Sequence, residues 1–382
     1  MFRSRRQRGE VFLVADVGDG SVGVAMLESS DGTTRLIAAE QTTIFSEERP
    51  EEARARSVVA ALSESAQALQ EKLGGSVPRS IEKAYVVVHA PWARSNVIRS
   101  EHVFEEEKKI DASVISSHAK AALQEEEISH EHSLEAAVVR VELEGYRTSK
   151  PEGKRAKKIG VSMLVSECDE GMQRSISEAL TRTFSCPPPI FRSAVRALSA
   201  VLSEHDLLPE DCVLLCVHSY STSLLVFRDR SITAVGYVGE GMQTIARRIA
   251  PQNPLQETLS LMRMLARGEC ETKACEALKV SLAKAEPTIV HAFSKEMEKM
   301  TTARRLPNKL LLLAPEECSE WLAHMFSRME FSLFTHTTLP LQPRVLERNT
   351  LLHSFSLRHA SDLDSDLLLA CELVNIERGS AS

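Results

Sequence analysis

The stretch from residue 11 to residue 27 constrains the fold of this chain more than any other stretch. It contains two apolar runs, 11–15 and 22–27, separated by a short turn rich in glycine and aspartate. Apolar runs of this length on both sides of a tight turn are typical of two buried strands. Asp19-Gly20 suits the positive φ angles that hairpin turns need. The stretch therefore predicts a β-hairpin.

The turn of this hairpin carries the chemistry of a candidate binding site. Its polar and small residues are Asp16, Gly18, Asp19, Gly20 and Ser21. Backbone N–H groups beside small residues can face a phosphate, and an aspartate at a strand end can hold Mg²⁺ through water. Two interpretations follow: a purely structural Asp-Gly hairpin, or a cofactor-binding loop in which Asp16 is the metal-linked residue.

Residues 16–21, Asp-Val-Gly-Asp-Gly-Ser, resemble the first phosphate loop of the actin-like ATPases. That superfamily includes actin, sugar kinases, chaperone ATPases and the bacterial FtsA and PilM proteins. The resemblance implies an α/β fold made of two ribonuclease H-like halves, with ATP and Mg²⁺ as cofactors.

The overall composition is that of an ordinary soluble globular protein. The 382 residues are 43% hydrophobic and 26% charged, which allows two domains with sizeable cores. The net charge of −7 gives no reason to expect nucleic acid as a partner. The eight cysteines form no Cys-x-x-Cys pair, which favours reduced, buried thiols. No long apolar run and no signal peptide stand out, so a cytoplasmic location is expected.

The first ten residues form a basic leader. Four arginines, Arg3, Arg5, Arg6 and Arg8, accompany Phe2. Each cation near an anionic membrane surface contributes about 1 kcal/mol. Peripheral membrane contact and a solvated chain terminus are both consistent with this pattern.

The first half of the chain continues as an actin-like half would. A third strand is predicted at 33–40, a helix at 53–73 with apolar residues near the 3.6 period, and a continuous apolar strand at 84–90. A strand at 95–103 follows, then Glu105–Glu107 leading into a helix around 111–124, then strands at 136–143 and 158–166. This strand–helix–strand–strand unit resembles the subdomain that FtsA and PilM insert into their first domain.

The second half repeats the opening pattern. Helices are predicted at 169–184 and 192–205, strands at 212–217, 223–227 and 231–238, helices at 257–282 and 288–300, a strand at 309–314, and helices at 315–329 and 363–377. By the resemblance, the second loop places Ser221, Thr222, Gly239 and Gly241 beside a nucleotide. The predicted divisions are 1–10 (leader), 11–94 (first half), 95–168 (inserted α+β subdomain), 169–205 (return and connecting helix), 206–350 (second half) and 351–382 (C-terminal segment).

The second and third nucleotide elements depart from the family pattern. Cys216 stands where the family has its second-half aspartate, and His218, Ser219 and Tyr220 stand where it has glycines. Glycines let backbone N–H groups approach phosphates without a Cβ clash, so larger side chains crowd that approach. Ala314-Pro315 replaces the glycine pair on which adenine rests in the family. Hydrolysis is therefore not expected, and no catalytic residue is assigned.

These observations favour a PilM-type scaffold with degenerate nucleotide loops. The resemblance implies that it binds the cytoplasmic tail of an inner-membrane partner in type IV pilus assembly, through a groove between the inserted subdomain and the first half. Two alternatives stay open: an FtsA-like cell-division protein, and an active ATPase or kinase in which Asp19 replaces the missing carboxylate. Residues 371–382 carry no lysine or aromatic residue, unlike the membrane helix that ends FtsA. Self-association stays open in each case.

Overall fold

The structure is a computed structural model. It describes residues 9–30, 33–45, 51–74, 80–126, 133–301, 304–328, 334–335, 339–354 and 363–379. The predicted basic cluster of Arg3, Arg5, Arg6 and Arg8 lies outside the described residues. No helix of the described part combines the length and apolar character needed to cross a membrane.

Strands and helices alternate along the chain in the order expected of a mixed α/β protein. The strands are β1 (Glu10–Val17), β2 (Ser21–Ser30), β3 (Thr33–Thr43), β4 (Lys83–Val88), β5 (Ala93–Lys109), β6 (Ser133–Leu143), β7 (Tyr146–Arg147), β8 (Arg155–Cys168), β9 (Ile190–Ser193), β10 (Cys212–Val217), β11 (Thr222–Arg228), β12 (Ser231–Val238), β13 (Lys309–Leu313) and β14 (Gln342–Val345). The helices are α1 (Glu51–Leu73), α2 (Ala112–Glu125), α3 (Glu170–Phe184), α4 (Ala194–Glu204), α5 (Met242–Ile249), α6 (Leu255–Ala266), α7 (Lys273–Met300), α8 (Glu316–Arg328), α9 (Arg348–Ser354) and α10 (Ser365–Gly379).

The chain forms two compact units, and the first comprises Met1–Arg94, Cys168–Leu207 and Glu347–Ser382. Its sheet has the strand order β3-β2-β1-β4-β9. Strand β1 is antiparallel to β2 and parallel to β4. Helix α1 packs on β2 and β3 with α3 beside it, while α10 packs on β1, β2 and β4 with α4 beside it. Continuous apolar runs in β1 and β4 suit a sheet that helices cover.

The second unit comprises Ser95–Glu167 and Leu208–Leu346. Its larger sheet has the order β12-β11-β10-β13-β14, with β10 antiparallel to β11 and parallel to β13. This is the strand order and direction of the first unit, repeated. The repeat confirms the predicted duplicated architecture. Helices α5 to α8 supply residues to the core beside this sheet.

The inserted subdomain has the sheet order β5-β8-β6-β7, and α2 packs on it. By contacts, it groups with the second half rather than with the first-half strands that precede it in the chain. The Ser95 N–H donates to Tyr237 Oη at 2.7 Å, and Arg140 pairs with Asp229 at 2.8 Å. Asp229 sits in the predicted β11–β12 turn, where it has a φ of +48°.

Two predicted boundaries in the first 205 residues are wrong. The strand predicted at 95–103 is too short, because β5 continues beside β8 through Glu105–Glu107 to Lys109, and the predicted helix follows as α2. Residues 192–193 are not helical. They belong to β9, which pairs in parallel with β4, and Ser193 caps α4 by accepting the Arg196 N–H. The local periodicity of a sequence does not reveal that a segment pairs with a strand far away in the chain.

The predicted helices 257–282 and 288–300 also have different boundaries. The first is split, because α6 ends at Ala266 and α7 begins at Lys273. The predicted break between residues 282 and 288 is absent, because α7 continues through Pro287. A proline removes one helical hydrogen bond. The buried stripe of α7 spaced at helical intervals (Leu278, Leu282, Ala285, Ile289, Phe293 and Met297) outweighs that loss.

The expectation that all cysteines are reduced thiols is wrong for one pair. Cys270 and Cys275 form a disulfide, with their Cα atoms 5.7 Å apart. The turn between α6 and α7 brings the two residues together, and the sequence interpretation had no turn at this position. The remaining six cysteines are buried and form no disulfide, as expected.

Candidate functional site

The first candidate loop is a two-strand hairpin closed by its own backbone. Val17 pairs with Val22, and the Gly18 N–H donates to the Ser21 carbonyl at 2.9 Å. The Gly20 carbonyl accepts the Ile44 N–H at 2.7 Å. A Cβ on Gly18 would lie 3.0 Å from the Ser21 carbonyl oxygen, so the close turn favours glycine there. The Gly18 N–H therefore already donates a hydrogen bond within the hairpin.

The segment after β4 holds this hairpin from the side. The His89 N–H donates to the Val17 carbonyl at 3.0 Å, and the Trp92 indole N–H donates to the Gly18 carbonyl at 3.0 Å. Sequence reasoning missed both residues. Their position gave the available signal, because β4 runs parallel to β1 and the carboxyl ends of such neighbours meet at one edge of a sheet.

Asp16 and His89 form a buried pair at the end of this hairpin. His89 Nε2 lies 2.8 Å from Asp16 Oδ1, and the two side chains are 4% and 2% exposed, respectively. Burial lowers the pKa of His89, but the charges of nearby carboxylates outweigh burial and raise it to about 10. Burial raises the pKa of Asp16, and His89 opposes that rise. We assign the shared proton to His89, because the carboxylates of Asp16, Asp366 and Asp19 all act on its ring.

The start of α10 adds two carboxylates to this region of the first unit. Asp364 Oδ1 accepts the Leu367 N–H at 2.8 Å, so Asp364 caps the helix. The Asp364 N–H donates to Gln41 Oε1 at 3.1 Å. Burial, followed by the charges of Asp366 and Asp16, raises the pKa of Asp364 to about 7.

The raised pKa of Asp364 predicts a pH-dependent stability. Its pKa rises from 3.8 to about 7 on folding, so its ionisation destabilises the fold, and that penalty grows as the pH rises between those values. Asp364→Asn keeps an acceptor for the helix cap and removes the charge. Because the side chain is only half-buried, we expect the variant to be more stable than the native chain by about 1–2 kcal/mol at about pH 8.

Urea unfolding of both proteins at about pH 4 and about pH 8 checks this expectation. At the lower pH the native carboxyl is protonated, so the two proteins should have equal stability within error. The same stability difference at both pH values would contradict the assignment of the raised pKa to Asp364.

The second candidate loop has the same backbone pattern as the first. The His218 N–H donates to the Ser221 carbonyl at 2.8 Å, as Gly18 does to Ser21. Cys216 pairs with Ser223 and with Leu313 of β13. Asp16 makes the corresponding pairs in the first unit, with Gly23 and with Val87 of β4. Cys216 is thus the structural counterpart of Asp16, and it carries no carboxylate.

The N-terminus of α5 is occupied by this second loop. The Met242 N–H donates to the His218 carbonyl and the Gln243 N–H to the Ser219 carbonyl, both at 2.8 Å. The Gly241 N–H donates to Thr244 Oγ1 at 2.7 Å. The first N–H groups of a helix are the donors that bind anions in phosphate sites. Here these three donors are used by the chain itself.

Gly241 allows this loop to lie directly on the helix. A Cβ built on Gly241 would lie 2.6 Å from the His218 carbonyl oxygen, the Ser219 carbonyl carbon and the Ser221 nitrogen. Gly239 differs, because it is exposed and a Cβ there would meet nothing within 4 Å. Of the two predicted glycines, only Gly241 sits where the packing demands the absence of a side chain.

Side chains close the second loop further. Tyr220 Oη donates to Gln243 Oε1 at 2.8 Å, and Thr222 Oγ1 donates to the Glu240 carbonyl at 2.6 Å. The buried Glu240 carboxylate pairs with Arg248. Ser221 Oγ is buried and has no hydrogen-bond partner among the described residues. The predicted residues Ser221 and Thr222 therefore lie in a packed turn.

Neither loop, taken within its own unit, fits a nucleotide phosphate. Asp16 Oδ1 is already engaged by His89 Nε2 at 2.8 Å, and both side chains are buried. The backbone donors of Gly18, His218, Met242 and Gln243 are bonded to carbonyl groups of the chain. A phosphate would have to displace these bonds, and Cys216 offers no carboxylate at the position that corresponds to Asp16.

Comparison with known proteins gives a fold and no sequence family. No protein-family model matches the chain, and no curated protein matches it at a significant level. The solved structure of a PilM–PilN type IV pilus biogenesis complex aligns over 99% of this chain and 99% of that chain, with 15% identity and a TM-score of 0.58. This chain has the actin-like fold. The repeated strand order of its two halves agrees with that assignment.

Two further solved structures align at TM-scores too low to support an argument. One is the ethanolamine utilization protein EutJ from Carboxydothermus hydrogenoformans, with 9% identity over 96% of this chain and 92% of that chain and a TM-score of 0.46. The other is a protein with an actin-like ATPase fold from Bacteroides thetaiotaomicron, with 10% identity over 95% of this chain and 96% of that chain and a TM-score of 0.36.

The third predicted nucleotide element lies at the start of α8. Ala314 and Pro315 follow β13, and the Pro315 carbonyl accepts the N–H groups of Cys318 and Ser319 at 3.1 Å. Pro315 thus begins the first turn of α8.

A half-open cavity of about 440 Å³ lies between helices of this unit, lined by Met262, Leu265, Ala266, Leu282, Glu317, Glu320 and Trp321. It is large enough for a ring-sized ligand, and its lining combines apolar side chains with two glutamates.

Proposed function

We propose that this chain is a non-hydrolysing, actin-like scaffold of the PilM type. In this proposal it binds the cytoplasmic tail of an inner-membrane protein in type IV pilus assembly. It works at the cytoplasmic face of that membrane through its partner, and it requires neither ATP nor Mg²⁺ for the interaction.

The observation that carries the proposal is the closure of both phosphate hairpins by the chain's own hydrogen bonds. The fold is retained over both halves, while Cys216 replaces a carboxylate and His89 occupies the surroundings of Asp16. Phosphoryl transfer depends on positioned donors, a metal ion and a nucleophile-orienting group. A fold that keeps its architecture and loses these groups is better suited to binding than to hydrolysis.

The choice of partner rests on the similar solved structure, in which a PilM protein is in complex with PilN. The decisive experiment is a binding titration of the full chain with a fluorescent peptide from the cytoplasmic tail of a PilN-type protein. A scrambled peptide of the same composition is the control. We expect saturable binding of the tail peptide only, with a Kd near the micromolar range, about −8 kcal/mol. Equal binding of both peptides, or of neither by a folded sample, would contradict the proposal.

A calorimetric titration with Mg-ATP tests the nucleotide part separately. We expect no saturable heat from the native chain, because the Gly18 and His218 N–H groups and the first N–H groups of α5 already donate hydrogen bonds within the chain. The matched variant is Asp16→Asn, which keeps an acceptor for His89 and removes the charge. Saturable heat in the native chain that disappears in Asp16→Asn would give Asp16 its family role and would favour the ATPase alternative. An FtsA-like role would instead show as filaments of the chain on lipid together with the division tubulin homologue.

A further inference from the structure

The turn between α6 and α7 contains a disulfide whose surroundings differ from those of every other cysteine. Cys270 lies in the turn and Cys275 is the third residue of α7. The four residues between them are all exposed, while the two cysteines lie beneath them at 8% and 0% exposure. The bond is therefore one turn of chain away from solvent.

The remaining six cysteines are poor candidates for thiol chemistry. They are buried and form no disulfide: Cys168, Cys186, Cys212, Cys216, Cys318 and Cys371. Burial raises the pKa of Cys168 and of Cys212 to about 12, and it raises the pKa of Cys318 and Cys371 as well. Because the thiolate is the nucleophile, burial holds these four thiols in their unreactive form.

Cys275 has the position of a reactive thiol. The N–H groups at the start of a helix stabilise a negative charge, and α7 is 28 residues long. Thr272 Oγ1 lies 3.1 Å from Cys275 Sγ. Since a disulfide sulfur carries no proton, the hydroxyl is the donor, and it can donate equally to a thiolate. Lys273 adds an exposed cation beside the same turn.

The ring that this disulfide closes is short. The two cysteines are separated by five positions. The entropy that a crosslink removes from the unfolded chain grows with loop length, so a ring of this size adds little to global stability. The bond can therefore open and close while α6 and α7 stay folded.

We propose that Cys270 and Cys275 form a reversible thiol–disulfide exchange site for low-molecular-weight disulfides of the glutathione class. In the oxidising direction, the Cys275 thiolate attacks one sulfur of glutathione disulfide and releases one glutathione thiolate, forming a mixed disulfide. The Cys270 thiolate then attacks Cys275 Sγ, forming the intramolecular bond and releasing the second glutathione thiolate. Two electrons pass from the protein thiols to glutathione disulfide, and the two thiol protons end on the two glutathione molecules formed.

The exchange site controls the end of α6. Arg263 pairs with Glu317, and Arg267 pairs with Glu316 at 2.7 Å, so this end of α6 is held against α8. The cavity described above lies between these helices and Leu282 of α7. Oxidation fixes the turn covalently between α6 and α7, and reduction leaves it to non-covalent contacts such as the Glu269 N–H bond to the Met264 carbonyl at 2.9 Å.

Equilibration of the full chain over a series of reduced-to-oxidised glutathione ratios tests the proposal. Acid quenching, alkylation and peptide mass measurement then report each cysteine. We expect the peptide carrying both Cys270 and Cys275 to change from doubly alkylated to unalkylated in a single two-electron transition. Amide hydrogen exchange across residues 266–276 should be faster in the reduced protein, with no change in the sheet strands.

Three variants separate exchange from a static crosslink. Cys270→Ser should accumulate a glutathione adduct on Cys275, and Cys275→Ser should give at least five-fold less adduct on Cys270. Cys186→Ser should keep the native transition. A bond that stays closed at the most reducing ratio, thiols that stay reduced at the most oxidising ratio, or equal adducts in the first two variants would each overturn the proposal.

Discussion

Replacement of His89 with alanine is expected to lower the free energy of unfolding by about 3–5 kcal/mol, because it leaves a buried carboxylate without its partner. His89 Nε2 and Asp16 Oδ1 are 2.8 Å apart, and both side chains are almost fully buried. Removal of one partner costs far more than removal of both. Denaturant unfolding of His89→Ala at neutral pH measures the loss.

The matched control is the double variant Asp16→Asn with His89→Gln, which replaces the charged pair by two neutral side chains that can still hydrogen-bond. We expect it to recover at least half of the stability that His89→Ala loses. A double variant as unstable as the sum of its single variants would contradict a coupled pair.

The same pair predicts how native stability falls in alkali. The pKa of His89 is raised from 6.5 to about 10 on folding. A raised histidine pKa contributes stability that is complete below the unfolded value and is lost as the pH rises through the folded value. The native chain should therefore lose stability between those two pH values, and His89→Ala should lose much less over the same range. Thermal unfolding at several pH values makes this comparison.

The two hairpins could be predicted from sequence because hydrophobic runs are local. The runs that became β1, β2, β10 and β11 are each bounded by turn residues within a few positions. Their pairing follows from the short connections between them. The correspondence of Cys216 with Asp16 was also visible, since it depends only on counting from the end of a strand.

The groups that close the loops could not be predicted, because they depend on contacts between distant segments. His89 lies 73 positions from Asp16, and Asp364 comes from the far end of the chain. The occupation of the α5 N-terminus by the His218 and Ser219 carbonyls is a matter of backbone geometry. Residue identity alone showed crowding at that loop, but it did not show which donors were already used.

The position of the inserted subdomain also could not be predicted, because it too depends on contacts between distant segments. Its strands and helix were visible as local patterns, but its grouping with the second half rests on contacts between distant segments, among them those of Tyr237 and Arg140. Such residues look like ordinary surface residues in a sequence. Chain order placed the subdomain within the first half, and only three-dimensional contacts show which part of the molecule it packs against.

Gly241→Ala is expected to destabilise the second unit by about 3 kcal/mol, because the new Cβ would overlap backbone atoms that have no space to move. Three backbone atoms of the loop lie 2.6 Å from the position of that Cβ. Relief requires the loop to lift from α5, which breaks the bonds from the Met242 and Gln243 N–H groups. Thermal and denaturant unfolding measure the loss.

Gly239→Ala is the matched control two residues earlier. Its Cβ would meet nothing within 4 Å, so we expect a stability change within about 0.5 kcal/mol. Equal effects of the two substitutions would show that the loop does not lie on the helix as described. Titration with Mg-ATP adds a second test, in which the destabilised Gly241→Ala variant would bind Mg-ATP while the native chain does not. This result would show that the helix N-terminus can still bind phosphate, and that the loop pressed against it is what prevents this in the native chain.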